Sequence, residues 1–75
     1  MDKKIRINGH TFTWNTDHNM YECKGEIMYD DEHDETPEPS LWNAGTILRN
    51  RLINDGYNAE VSHSEKGWVE VHILD

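Results

Sequence analysis

Basic residues, cysteines and long apolar runs are all scarce in this chain of 75 residues. Seven Lys and Arg stand against fifteen Asp and Glu, a formal charge of -8. Phosphate contacts need Lys and Arg, so direct binding to DNA or RNA through a basic surface is disfavoured. The lone cysteine, Cys23, excludes an intramolecular disulfide and a multi-cysteine zinc site. Its expected place is as a small, partly buried apolar side chain. No window approaches the ~18 apolar residues of a membrane span, so no membrane partner is expected. The start, Met1-Asp2-Lys3-Lys4-Ile5-Arg6, leads into strand-like sequence without the apolar stretch of a signal peptide. A reducing, cytoplasmic location is the expectation, in the host cell if the chain is viral.

Signatures of catalysis are missing as well. There is no GxSxG, no P-loop and no dinucleotide fingerprint. Cys23 with a histidine, or a Ser–His–Asp trio, would need a local motif that is absent. So short a chain also has little volume for a ligand pocket of ~300 Å³. The expectation is therefore no enzyme and no cofactor. His10, His18, His33, His63 and His72 form no HxH or HxxxH pair, which argues against zinc. Asp30, Asp31, Glu32, His33 and Asp34 offer hard ligands, yet the central Gly of an EF-hand loop is missing and prolines interrupt the window. No metal site is expected, though the histidines could make binding sensitive to mild acid.

Apolar residues are 35% of the chain, below the ~45–50% usual for globular domains, a reference that also counts Gly. Three Trp, three Tyr, one Phe and periodic segments nonetheless favour one small folded domain over disorder. Its core must be thin, because a chain this short buries only about 60% of its unfolded surface. Dimerisation is one way to supply the missing burial.

Residues 5–14 hold the clearest local signal. Two alternating runs flank Asn8-Gly9, the preferred pair for a type I′ turn. A two-residue loop sets Ile7 opposite His10 and Ile5 opposite Phe12. Ile5, Ile7, Phe12 and Trp14 then share one face, and Lys4, Arg6, Thr11 and Thr13 the other. Residues 15–19 read as a polar turn. Met20 to Cys23 and residues 26–29, separated by a break at Lys24-Gly25, are weaker strand signals because their alternation is short, and they read as one further strand or two. Residues 30–39 read as an acidic loop closed by Pro37 and Pro39.

Ser40 is the expected N-cap of a helix over residues 40–55. Leu41, Ala44, Leu48 and Leu52 recur at helical spacing with Gly45 on the same face, flanked by Ile47 and Ile53. Gly56 supplies the left-handed stop, and Arg49 and Arg51 suit the C-terminal half. A final hairpin follows. A three-residue loop, Glu65-Lys66-Gly67, keeps one apolar face by setting Val61 opposite Val71 and Ala59 opposite Ile73. It also sets Glu60 opposite His72, Ser62 opposite Glu70, and Trp68 on the outer face. The fold class is therefore α+β: an antiparallel sheet, most simply a single one, with one helix across its apolar face and the other face wet.

Six acids, Asp30, Asp31, Glu32, Asp34, Glu35 and Glu38, lie within nine residues. Without them the charge of -8 falls to -2. The negative charge is thus concentrated rather than spread for solubility. Trp42 in the first helical turn and Trp68 beside Glu70 are candidate anchors, because Trp is enriched at binding hot spots. In size and charge the chain resembles small phage and mobile-element proteins that block restriction or CRISPR systems. No motif carries that likeness. The expected function is a stoichiometric inhibitor that presents a phosphate-mimicking surface to a basic protein or nucleoprotein complex. The alternative is a homo-oligomeric assembly module, such as a homodimer joined through free strand edges. A small metal- or ligand-binding enzyme is the third reading.

Overall fold

The computed structural model describes residues 2–25, 27–29, 35–64 and 66–74. Strands β1 (Lys4–Ile7) and β2 (His10–Asn15) form the first hairpin, with Ile7 opposite His10 and Ile5 opposite Phe12. Asn8 and Gly9 take φ of 51° and 84°, the two left-handed residues that a type I′ turn requires. The next turn is held by Asn15, whose Oδ1 accepts the backbone N–H of Asp17 at 3.0 Å and of His18 at 3.3 Å. Strand β3 (Met20–Cys23) follows and pairs with β2. Next come β4 (Ile27–Tyr29), β5 (Glu35–Pro37), helix α1 (Pro39–Asn54), β6 (Asn58–His63) and β7 (Val69–Leu74).

The architecture is α+β, as expected, with the helix on one face of an antiparallel sheet. That sheet has the order β1-β2-β3-β7-β6. The fourth strand does not join it: β4 pairs with β5 in a separate two-stranded sheet. Two expectations change as a result. There is not one sheet but two, and Glu35–Pro37 is strand rather than acidic loop. Proline is tolerated there because a two-stranded ribbon has only edge strands. Residues 30–34 lie outside the described residues.

The helix begins one residue earlier than its sequence suggests. Glu38 is the N-cap, Pro39 occupies the first turn, and no side chain caps a helix amide. Ser40 instead donates its hydroxyl to Glu38 Oε1 at 2.7 Å. Proline suits that first position, since its φ is preset and its missing N–H has no intrahelical partner to lose. At the other end Gly56 (φ 98°) stops the helix. The N–H of Tyr57 bonds Leu52 O and that of Gly56 bonds Ile53 O, both at 3.0 Å, which is the Schellman pattern. Arg51 lies in the last turn, whereas Arg49 stops short of it and bonds Asn50 Oδ1.

The core lies between helix and sheet. Leu41, Ala44, Leu48 and Leu52 meet Ile7, Phe12, Tyr21, Cys23, Val69 and Val71, with Ile5 and Trp14 packed at the margin. The Tyr21 hydroxyl donates to Asp2 O at 2.7 Å, so its buried ring carries a satisfied polar tip. The last hairpin has the expected register, Val61 opposite Val71 and Ala59 opposite Ile73. Gly67 (φ 82°) is its left-handed residue. The outer face is not uniformly wet: Met20 is only 6% exposed there, between Asn15 and His72 on the neighbouring strands. Among the described residues no helix is long and apolar enough to cross a membrane.

Candidate functional site

The acidic segment connects β4 to β5 and runs into the helix. Of its six acids, Asp30, Asp31, Glu32 and Asp34 lie outside the described residues, Glu35 opens β5, and Glu38 is the exposed N-cap. The base of this hairpin is fitted to the body at two points. Pro37 is buried. At Gly25 there is no room for a side chain, since a Cβ would meet Leu41 and lie 2.7 Å from Gly67 O. The hairpin therefore leaves the five-stranded sheet from a closely packed root.

Trp42 and Trp68, 26 positions apart, come to the same end of the β6–β7 hairpin. Both are half-buried rather than exposed. Trp42 meets His63 edge-on, with ring centroids 5.9 Å apart. Pro37, Pro39, Trp42 and His63 line an apolar groove of about 400 Å³. On the other side of His63 a second groove, of about 570 Å³, is lined by Ser64, Lys66, Trp68 and Glu70. His63 belongs to both. Glu70 also lies 3.6 Å from His72 Nε2, so His72 has a carboxylate neighbour along its own strand. Glu60 stands opposite His72 across the ladder, as its register requires.

Sequence reasoning missed a second cluster at the start of the helix. His10 Nε2 lies 3.1 Å from Ser40 Oγ, which in turn donates to Glu38 Oε1. The hydroxyl proton is therefore directed to the carboxylate, and the imidazole acts as donor to the serine. A nucleophilic serine needs the reverse, with its proton on the imidazole. Thirty residues separate His10 from Ser40, and no local pattern signals their meeting.

Cys23 is buried as a free thiol, in line with its reading as a small apolar side chain. Burial pushes its pKa up, against a weaker opposing hydrogen bond with the Thr11 backbone, so the nucleophilic thiolate is disfavoured. Burial also raises the Tyr21 phenol, with smaller contributions from Asp2 and Tyr57. Among the described residues no three His, Cys, Asp or Glu side chains converge as metal ligands. No protein-family model matches this chain, and neither does any curated protein or solved structure.

Proposed function

We propose that this chain is a non-catalytic binding module that inhibits a basic, nucleic-acid-handling protein or nucleoprotein by one-to-one occupation of its phosphate-binding surface. The observation that carries the reading is charge placement. Six of fifteen acids fall in residues 30–38, and strands β4 and β5 on either side of residues 30–34 pair only with each other among the described strands. A run of carboxylates on a hairpin with a packed root can lie along a basic cleft and stand in for phosphates. The groove at Trp68, with Glu70 beside it, supplies an anchor at the far end of β7 from Leu74. Small phage and mobile-element proteins directed against nucleic-acid-based defence share this size and charge, and that is the class of role proposed. Such a module would work in the cytoplasm, where its target handles nucleic acid.

The test is capture of partners on the immobilised chain at low salt, followed by a salt step. The reading expects a basic nucleic-acid-binding protein, released as ionic strength rises. Replacing Asp30, Asp31, Glu32, Asp34 and Glu35 by their amides should weaken that complex by one to three orders of magnitude. That range follows from ~0.2–1 kcal/mol for each exposed charge pair and ~1.4 kcal/mol per decade of affinity. Equal binding by the neutralised chain would sink the reading.

A further inference from the structure

The two edges of the five-stranded sheet are built differently. In the first hairpin the Trp14 N–H bonds Lys3 O at 2.8 Å, which sets the phase of the ladder. The backbone groups of Ile5 and Ile7 therefore face β2, and those of Lys4 and Arg6 face outward. Charged side chains at those positions block the addition of another strand. At the opposite edge the Ser64 N–H bonds Trp68 O at 2.9 Å. By the same alternation, Asn58, Glu60 and Ser62 face β7, and Ala59, Val61 and His63 turn their N–H and C=O groups outward. No Lys, Arg or Pro guards this six-residue edge.

One flank of the helix overlies the same edge. Ser40 reaches His10 on β2, while Trp42 reaches His63 on β6, so the two flanks are assigned. Trp42, Thr46, Arg49 and Ile53 recur at helical spacing and share the β6 side. Among the described residues the exposed large apolar side chains are Ile53 (48%), Tyr57 (43%) and Leu74 (45%), all near the start of β6. The apolar groove of Pro37, Pro39, Trp42 and His63 lies at its end. Apolar projections thus stand at one end of an open edge and an apolar recess at the other.

We propose that β6 pairs antiparallel with β6 of a second copy, about a two-fold axis at Val61. Val61 then faces its own mate, and Ala59 faces His63 of the second copy. Because strand ends are exchanged, Ile53 and Tyr57 of each copy meet the Trp42–His63 groove of the other. The spacing agrees. Trp42 is level with His63, and reflection through Val61 carries that level four strand residues along, ~13 Å at ~3.3 Å each. Ile53 lies eleven helical residues from Trp42, ~16 Å at ~1.5 Å each. The two helices would run antiparallel on one face of a continuous ten-stranded sheet. The side face offered is roughly 30 by 20 Å, from a strand of ~20 Å extended at both ends and two layers ~10 Å apart. That is ~600 Å² per partner, below the ~800 Å² of a standard interface and at the boundary of the weak, transient class, which suits a micromolar dimer. Each copy carries -8; along β6 and this helix flank Arg49 and Glu60 balance, whereas exposed Glu38 at the groove and Asp55 beside Ile53 place negative charge at the ends of the contact, a repulsion that added salt screens. The same patch serves both copies, so the contact closes as a dimer and does not propagate.

Sedimentation velocity from 1 to 100 µM tests this. The expected result is a dimer with a dissociation constant in the micromolar range, not weakened by added salt. Ile53→Ser with Tyr57→Ser removes the apolar projections without changing the charge. Both side chains are exposed, so the fold survives, and the dissociation constant should rise at least tenfold. His63→Pro withdraws one outward N–H and leaves the β6–β7 ladder bonds intact, and it should also yield monomer. A wild-type monomer at 100 µM overturns the proposal and leaves this edge to a strand from another protein. A double serine variant that dimerises as tightly as the wild type overturns it too.

Discussion

Gly45 faces Val69 and Val61 of the sheet at close range, and replacing it with Ala should destabilise the protein. In an exposed helix the change would help, because Ala is favoured over Gly by ~1 kcal/mol. Here the added Cβ would lie 2.5 Å from Val69 Cγ1 and 3.2 Å from Val61 Cγ2. Ordinary carbon contacts need ~3.5–4.0 Å, so helix and strand must part locally by ~1 Å. Val69 is fully buried and cannot swing away. Overpacking of this kind costs ~1–3 kcal/mol, which exceeds or cancels the propensity gain. The expected net loss is ~1 kcal/mol, out of a total of roughly 4–11 kcal/mol at ~0.05–0.15 kcal/mol per residue. For a domain of this size that lowers Tm by ~4–8 °C. Urea and thermal unfolding followed by far-UV circular dichroism would read it. A double-mutant cycle sharpens the test: in a Val69→Ala background the clashing methyl is gone, and Gly45→Ala should become neutral or stabilising. A wild-type background in which Gly45→Ala raises stability by ~1 kcal/mol would refute the close approach of helix to sheet.

Gly56→Ala is expected to cost ~1–2 kcal/mol from backbone alone, since φ is 98° and nothing lies within 4 Å of the added Cβ. Asn at the same position should cost less, because it tolerates the left-handed region, and equal losses for Ala and Asn would show that the left-handed backbone is not what Gly56 supplies. The Cys23 thiol should react with an aromatic disulfide reagent only as fast as the protein opens, so the rate should climb with urea; immediate reaction in the native protein would contradict its burial. Both Cys23 and Tyr21 hold their protons more tightly folded than unfolded. Their contribution is therefore complete below the unfolded thiol value of ~8.5 and is lost as pH rises through the raised values of the folded state. The urea midpoint should fall from pH 8 to 10.5, less steeply in Cys23→Ala; a midpoint that rises with pH would show the sign to be wrong.

The parts of the fold that are readable in the sequence are those where two local signals agree. Asn8-Gly9 and the alternation around it dictate the same register, as do Gly67 and the apolar face of the last hairpin. The stripe from Leu41 to Leu52 and the stop at Gly56 likewise agree on the helix. Strand β5 is not readable, because Glu35-Thr36-Pro37 has no strand pattern of its own and is held by pairing with β4. Ser40 looks like a cap, yet Pro39 is better suited to the first turn and moves the cap to Glu38. The insertion of β7 beside β3 is a long-range choice, and so is the meeting of Trp42, His63 and Trp68. No neighbouring residues encode it. The acidic character of residues 30–38 is plain from composition, whereas the packed root at Gly25 emerges only from the three-dimensional contacts.

Recognition, as proposed, rests on the carboxylates of residues 30–35. The most direct measurement compares the affinity of the wild-type chain for its captured partner with that of the chain bearing Asp30→Asn, Asp31→Asn, Glu32→Gln, Asp34→Asn and Glu35→Gln. Calorimetry at two salt concentrations would supply the constants. The expected result is one-to-one binding of a basic nucleic-acid-handling protein, weakened at least tenfold by neutralisation and far less dependent on salt afterwards. An unchanged affinity and an unchanged salt dependence would contradict it.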